Sequence, residues 1–461
     1  MIFVCVAAAG CAGAGKSMPK DDQANAQLKR FLLLDSRVVA TAENAHLVVG
    51  TVTKHKANPL FGEDKPWEKR FDNLYGSVIY DEDDGLYKLW YNPIIVDHSA
   101  KGMSLDERDR KHYRPPHNRE LAICYATSRD GITWDKPELG LVDYEGSKKN
   151  NIVWRGPHGA GVFKDAREPD PRRRYKTIFA GIDVSVSADG LNWDEPQRCE
   201  GVDVAGDTHN NALWAPTLGK YVGITRTWGD DQREVARIES DDYVRWSKAE
   251  VVMRGLTKTL QPYAMPVFFH GGVYLGLVAI HDQKSDRVWT ELAWSPDTKA
   301  WHRISPGTPL IPCSEVKLDY DYGCVYACAV PVFLKDEIRL YYGGSDYVHT
   351  GWRNGFLCLA TLRPDGFAGY EPEDKDKPAV ITTTPIAWPG GDIRISADVG
   401  QGGSVKVGVL DKDGNVIAEA KPISKTVTDK RLTLDKKIAA DKVRLRFELT
   451  NAKLYSFTVS E

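Results

Sequence analysis

Apolar runs and polar turns alternate along most of the chain, and the runs come in pairs. Residues 86–91, 175–179, 221–225, 273–278 and 338–342 are β-branched or aromatic stretches bounded by turn residues, the composition of strands. A shorter apolar run stands before each, at 78–80, 161–163, 212–214, 266–269 and 331–334. Between the pairs the motif Ser-x-Asp-x-x-x-Trp recurs with a period in the fifties. Its copies begin at Ser128, Ser187, Ser240 and Ser295 and end at Trp134, Trp193, Trp246 and Trp301; a weaker fifth, around Asp365 and Gly366, ends in Tyr370. The Asp-Gly pairs at 130–131 and 189–190 predict hairpin turns, because glycine accepts the positive φ of a tight reversal. Each Trp opens the next strand as a packing anchor. Repeats of this length are supersecondary units that bury an apolar face against their neighbours. The prediction is an all-β chain, a five-bladed β-propeller of four-stranded blades.

Past the last repeat the pattern changes. Residues 371–378 form a charged, proline-bracketed linker, and strict apolar–polar alternation begins near Ile386. Alternating runs at 393–399, 405–410, 443–449 and 454–459, with an Asp413-Gly414 turn between, predict a small C-terminal antiparallel β-sandwich. Four segments follow: an export signal and linker at 1–20, the catalytic propeller at 21–375, a linker at 376–385 and an accessory sandwich at 386–461.

Composition narrows the function classes. With 461 residues, 42% apolar and 27% charged, the chain has an ordinary soluble make-up and is too long for one core. A formal charge of −3 without a Lys/Arg stripe excludes a basic nucleic-acid surface. Most of the 13 Trp serve blade packing, leaving a few near the axis to stack on sugars. Gly10, Gly15, Lys16 and Ser17 match a phosphate-binding loop, but Met18-Pro19 and a polar run follow where the helix that cradles phosphate must start. The alternative is an export signal with an apolar stretch from Ile2 to Ala9. There Ala8-Ala9-Gly10-Cys11 is similar to a lipoprotein signal, with Cys11 as lipid anchor and sole tie to a membrane. The product is then periplasmic, an outer-membrane lipoprotein or extracellular. The six remaining cysteines form no zinc pattern; several read as small core residues, and an exported protein allows a disulfide among them whose pairing the sequence does not set. The sequence sets no oligomeric state.

The five blades, the trailing sandwich and the run from Asp72-Asn73-Leu74-Tyr75-Gly76 to Asp81 resemble the invertase–arabinanase–levansucrase superfamily. These are the five-bladed propeller glycosidases of glycoside hydrolase families 32 and 43. Lys65-Pro66-Trp67-Glu68, residues 146–151, residues 342–346 and residues 454–457 resemble uncharacterised exported bacterial glycosyl hydrolases. The resemblance implies a funnel at one end of the axis, floored by the first residues of each innermost strand. Three acids there act as nucleophile or base, general acid and pKa modulator. Glycoside cleavage uses one carboxyl to protonate the leaving oxygen and another to attack or to activate water.

Aligning the inner strands on their apolar runs locates that floor. Asp72 and Asp207 occupy equivalent rows, with Gln261 in the same row of blade four; His158, His209 and Tyr263 form a second row; Asp319 and Asp321 precede Tyr326. Asp72, Asp207 and Asp321 are the expected catalytic acids, with Glu68 in reserve. Asn73, aligned on the glycine, stands where invertases carry their nucleophile, and their Arg-Asp-Pro and Glu-Cys motifs have no match, so that triad does not transfer. The cluster of Asp207, His209, Asn210 and Asn211 is the densest polar entry to any strand, costly to bury unless paired or used. Arg226, His281, Asp282 and His349 follow second strands and can grip a carboxylate, sulfate or hydroxyl. Structural alternatives stand beside these: Asp72 as a turn cap, Asp321 in an exposed loop, the histidines as satisfied core residues. No metal ligand set is assigned and no cofactor is required, although a structural or axial calcium-like ion is allowed. The expected function is a glycoside hydrolase with a carbohydrate substrate. The alternative is a non-catalytic glycan- or protein-binding propeller.

Overall fold

The computed structural model describes residues 28–460, so the export signal, Cys11 and the phosphate-loop look-alike lie outside the described residues. Nearly all the regular secondary structure described is β-strand. Among the described residues the one α-helix is Leu105–Arg110, started by a capping box between Ser104 and Glu107.

Five antiparallel units follow one another, each built on one predicted strand pair. The first carries Ser77–Asp81, Leu86–Tyr91, Glu120–Ser128 and Ile152–Arg155, with Ile94–Val96 alongside. The second carries Gly161–Lys164, Tyr175–Phe179, Asp183–Ser187 and Gln197–Arg198. The third carries Asn211–Ala215, Lys220–Gly229, Gln232–Ser240 and Glu250–Met253. The fourth has Leu260–Ala264 and Val267–His270 on Val273–Asp282, followed by Arg287–Ser295 and His302–Arg303. In the fifth, Cys324–Ala327 and Val332–Phe333 pair with Ile338–Ser345, and Gly355–Leu362 pairs with Thr53–Lys54 and Phe61–Gly62 from the start of the chain. One parallel bridge, Val288 to Cys324, joins units four and five into a single ladder.

The repeated motif is a hydrogen-bonded turn. In the first copy Ser128 Oγ accepts the Asp130 and Gly131 amides at 3.3 and 2.8 Å, while Asp130 Oδ1 accepts those of Ile132 and Thr133 at 2.8 and 2.7 Å. The copies at Ser187, Ser240 and Ser295 repeat the Asp half of this pattern. Each turn also docks on the preceding unit. Trp90 of the first unit donates to the Gly190 carbonyl of the second at 2.7 Å, and Tyr243 of the third lies edge-on to Phe163 of the second at 5.8 Å. Arg237 of the third donates to Thr298 Oγ1 of the fourth at 2.7 Å, and His270 of the fourth bonds Asp365 after the fifth at 2.9 Å. Tyr341 of the fifth donates to the Gly131 carbonyl of the first at 2.7 Å, so the contacts close into a cycle.

The C-terminal strands lie in one ten-stranded sheet organised on Ile393–Leu410 and Lys442–Ser460, around a core that includes Leu33, Ile395, Val407, Leu445, Phe447 and Phe457. Its composition corrects the expected boundaries. Leu28–Leu32, Val39–Glu43 and Ala45–Val49, assigned from sequence to the propeller, pair here, and the supposed 376–385 linker holds the strand Ala379–Thr383. The physical reason is edge pairing. The two long strands expose backbone groups that need partners, and the nearest extended segments supply them whatever their place in the sequence. All six described cysteines are free thiols.

Candidate active site

The segment entering the first unit's inner strand is strained. Asp72, Leu74 and Tyr75 all have positive φ, at 54°, 61° and 44°, in a region that costs an L-residue roughly 1–2 kcal/mol. Arg353 holds it there: Nη2 donates to Asp72 Oδ1 at 2.7 Å and to Asn73 Oδ1 at 2.9 Å, and Nη1 donates to the Asp72 carbonyl at 2.9 Å. Arg70 Nε lies 3.4 Å from Asp72 Oδ1, and Arg119 Nη2 lies 3.9 Å from Oδ2. Burial opposes ionisation of this carboxyl, but the fields of Arg353, Arg70 and Arg119 outweigh it and hold Asp72 far below the usual carboxylate range.

Arg119 comes from an excursion between the first unit's strands. That excursion stacks Tyr113 on Arg70, with 4.1 Å from guanidinium to ring, and ties Tyr113 and Arg119 to Asp97. Its helix reaches the fifth unit, where Arg108 Nη1 donates to Asp346 Oδ1 at 2.7 Å.

The second carboxylate comes from the loop before the third unit. His158 Nε2 meets Asp207 Oδ1 at 3.0 Å, and Arg226 Nη2 donates to Oδ2 at 2.6 Å. The side chain is nevertheless 64% exposed. Its hydrogen bond to His158, with Arg226 beside it, outweighs partial desolvation and brings Asp207 down to about 2. Gly159, at φ 61°, permits the approach: a Cβ there would fall 1.7 Å from the Thr208 carbonyl oxygen.

Aromatic rings connect the two sides. Tyr75 receives Asn73 Nδ2 at 2.7 Å, stacks on His209 at 5.3 Å and meets His158 edge-on at 5.5 Å. Burial and Tyr263, with the fields of Asp207 and Asp72, push its phenol well above the ordinary value. Tyr326 lies 6.2 Å from Tyr75 and 5.4 Å from Tyr263, and bonds His349 Nδ1 at 3.0 Å. His349 lies 4.8 Å from His281, which donates from Nε2 to Asp286 Oδ1 at 2.9 Å. Burial, reinforced by Arg353 and His281, depresses His349 well below its ordinary value. Burial also brings His209 down to about 3, so both rings are neutral.

The structure thus brings together Asp72, Asn73, His158, Asp207, His209, Arg226, Tyr263, His281 and His349. Gln261 belongs to the same wall: its Oε1 accepts from Arg233 and Gln283 at 3.0 Å each. Asn210 supports from behind, its Nδ2 donating to the Gly206 and Thr208 carbonyls. Asp282 is bound up in its own turn with Lys284 and Ser285.

Two expectations need correction. Asp321 is 0% exposed and does not reach the cluster; it pairs with Lys54 at 2.7 Å and accepts from Tyr342 at 2.8 Å, beside a core that includes Tyr342 and Cys358. Glu68 is likewise enclosed, holding Lys136 at 2.8 Å, Tyr91 at 2.6 Å and the Asp64 and Lys65 amides. Each buried carboxylate is drawn to a lysine and a tyrosine hydroxyl, Lys54 and Tyr342 for Asp321 and Lys136 and Tyr91 for Glu68, a pairing that the sequence pattern does not register. Neither Asp72 nor Asp207 is a raised carboxyl of the kind a general acid needs, since the guanidiniums and His158 lower both. Among the described residues no group of three or more His, Cys, Asp or Glu is placed to hold a metal ion.

Sequence reasoning passed over Tyr75, Arg70, Arg119, Arg233, Asp286, Tyr326 and Arg353. Tyr75 and Tyr326 stand beside residues it selected; Arg70, Arg119, Arg353 and Asp286 lie outside the repeated strands, and Arg233 is on a third strand, which the row alignment did not use.

No protein-family model matches the chain. Two curated proteins of Mycobacterium tuberculosis, the uncharacterized proteins Rv1502 and MT1551, are each 30% identical over 149 residues, 31% of this chain. The match spans 40% of the length of each relative. Among solved structures, a β-1,2-mannobiose phosphorylase from Listeria innocua is similar at 15% identity and a TM-score of 0.48, over 68% of this chain and 96% of that one. A glycosyl hydrolase from Bacteroides ovatus is similar at 15% identity and 0.46, over 69% and 95%. An α-L-arabinofuranosidase from Podospora anserina is similar at 13% identity and 0.45, over 68% and 97%.

Proposed function

We propose that this chain is a glycoside hydrolase built on a five-bladed β-propeller, cutting a glycosidic bond at the Asp72–Asp207 cluster. The observation that carries the reading is the chain of contacts that joins these two aspartates, from different units: Arg353 holds Asp72 and Asn73, Asn73 donates to Tyr75, and the Tyr75 ring meets His158, the partner of Asp207, at a backbone segment held in strain. Strain of this kind persists only where surrounding contacts over-determine it, and it gathers at functional sites. Asp207, ionised and exposed, is the group that activates water or attacks the anomeric carbon. Asp72, fixed among three guanidiniums, is the charge that modulates the site. His158 Nε2, 3.0 Å from Asp207 Oδ1, orients that carboxylate, and the water it activates supplies both the hydroxide and the proton that the leaving oxygen takes up. Hydrolysis then adds hydroxide to the anomeric carbon and a proton to the departing oxygen. The chain would be exported, with the N-terminal cysteine as lipid anchor, and the ten-stranded sheet would serve as an accessory domain.

A second reading is a glycan-binding propeller without turnover. It is favoured by the lowering of both carboxyls, which leaves neither as a ready acid. A screen of the purified protein against a polysaccharide panel, scored by released reducing ends, separates the two. Turnover that disappears in Asp207→Asn, with the thermal midpoint kept, supports the hydrolase. Calorimetric binding without sugar release from any glycan supports the binder.

A further inference from the structure

The hairpin of Lys220–Gly229 and Gln232–Ser240 sets Trp228 directly opposite Arg233, with Arg226 two residues back on the same face. Both guanidiniums lie over Tyr263 at 4.8 Å, and they stand 4.9 Å (Arg233) and 5.7 Å (Arg226) from the Trp228 ring. Trp228 is 55% exposed although both guanidiniums lie against its ring. Arg226 has its counter-charge in Asp207.

Arg233 has none: among the described residues no carboxylate lies within ion-pair distance of it. Its Nη1 reaches only Gln261 Oε1 at 3.0 Å and His281 Nδ1 at 3.4 Å, and its Nε is buried without a partner. The nearest acids in sequence do not serve it. Glu234 is taken by Arg254 at 2.5 Å, and Asp230 and Asp231 at the hairpin tip form no ion pair with it.

A half-buried guanidinium without an anion is costly to keep, and its planar fork fits a carboxylate or sulfate. An exposed indole beside it offers an apolar face to a sugar ring. From these we infer that Trp228 and Arg233 form a subsite for a negatively charged sugar residue, a uronate or a sulfate ester. Trp228 carries the ring, Arg233 takes the anionic group, and Arg226 remains committed to Asp207. The inference rests on the glycan-directed reading above and narrows it to anionic glycans.

Calorimetry on the full chain tests it with trigalacturonate, the same trisaccharide fully methyl-esterified, and a sulfated carrageenan tetrasaccharide beside its desulfated form. The charged member of at least one pair should bind about tenfold tighter. Arg233→Gln should erase that difference, and Trp228→Ala, at an exposed position, should weaken both members. A preference in the first pair identifies a carboxylate site, and one in the second a sulfate site. Equal Kd values within both pairs, no binding at all, or a charge preference that survives Arg233→Gln would overturn the subsite. Binding is read without turnover, so charged-glycan binding with no sugar release sinks only the hydrolase. Hydrolysis of neutral glycans with no charge preference sinks only the subsite.

Discussion

Arg353 binds Asp72 twice, through the carboxylate at 2.7 Å and through the backbone carbonyl at 2.9 Å, so one guanidinium fixes both the charge and the left-handed turn of that residue. Arg353 is 1% exposed, and no solvent can substitute for it. Arg353→Gln should therefore destabilise the protein by about 3 kcal/mol, the scale for breaking a buried ion pair. Asp72 would keep only its longer contacts to Arg70 and Arg119. Turnover per folded molecule should fall at least about tenfold as the strained segment relaxes. Urea unfolding combined with kcat on the same preparation checks both, and an unchanged unfolding midpoint would remove Arg353 from this role.

Asp321 gives a contrasting expectation. Its carboxylate faces Lys54 and Tyr342, far in contact terms from the Asp72 and Asp207 cluster. Lys54→Met leaves a fully buried carboxylate unpaired and should cost about 3–5 kcal/mol. It would also loosen the N-terminal strand that completes the fifth unit. Asp321→Asn should lower stability while kcat per folded molecule stays within about twofold of the parent. A large loss of kcat in folded Asp321→Asn would restore it to the site.

These two residues mark how far the sequence could be read. The strand pairs and Ser-x-Asp turns were legible because each obeys a local period, and the turn bonds at Asp130 recur at Asp189, Asp242 and Asp297. Row alignment found Asp72, Asp207, His158 and His209 because inner strands begin alike in a repeat. It could not find Arg353, which lies 281 residues from Asp72 in a loop outside the period. It misplaced Asp321 because an alignment of rows does not show which way a loop side chain turns. The pairing of residues 28–49 with the C-terminal sheet was illegible for a similar reason: alternation marks a strand but not its partner.

Glu63 provides a pH test. Its Oε1 accepts the Phe71 amide at 2.7 Å and the Gly355 amide at 2.8 Å, linking the strained segment to the fifth unit. Burial raises this carboxyl to about 8 despite those two bonds, so the folded protein keeps it protonated at neutral pH. An unfolded Glu releases its proton near 4.3. Between these values the unfolded state binds fewer protons, so stability declines as pH rises from about 4 to about 8. Glu63→Gln keeps an oxygen acceptor and cannot ionise. It should gain up to about 5 kcal/mol at pH 8 and nothing at pH 4. Urea titrations at both values decide it, and equal gains at the two pH values would refute the assignment.

His209 shifts in the opposite sense. Buried against Tyr75, it is neutral down to about pH 3, whereas an unfolded histidine takes up a proton near 6.5. Below 6.5 the unfolded chain therefore binds a proton that the folded chain refuses, and stability falls with pH by up to about 1.4 kcal/mol per unit until pH 3. His349, also depressed by burial, adds to the slope, so a single substitution should remove only part of their joint contribution. His209→Phe keeps a stacking ring and abolishes the titration. Unfolding free energies of parent and variant at pH 4.5, 5.5, 6.5 and 7.5 should converge as the pH falls, because only the parent carries this penalty. Parallel curves across that range would mean that His209 takes up its proton as readily in the folded as in the unfolded protein, and the burial of a neutral ring at the centre of the site would have to be abandoned.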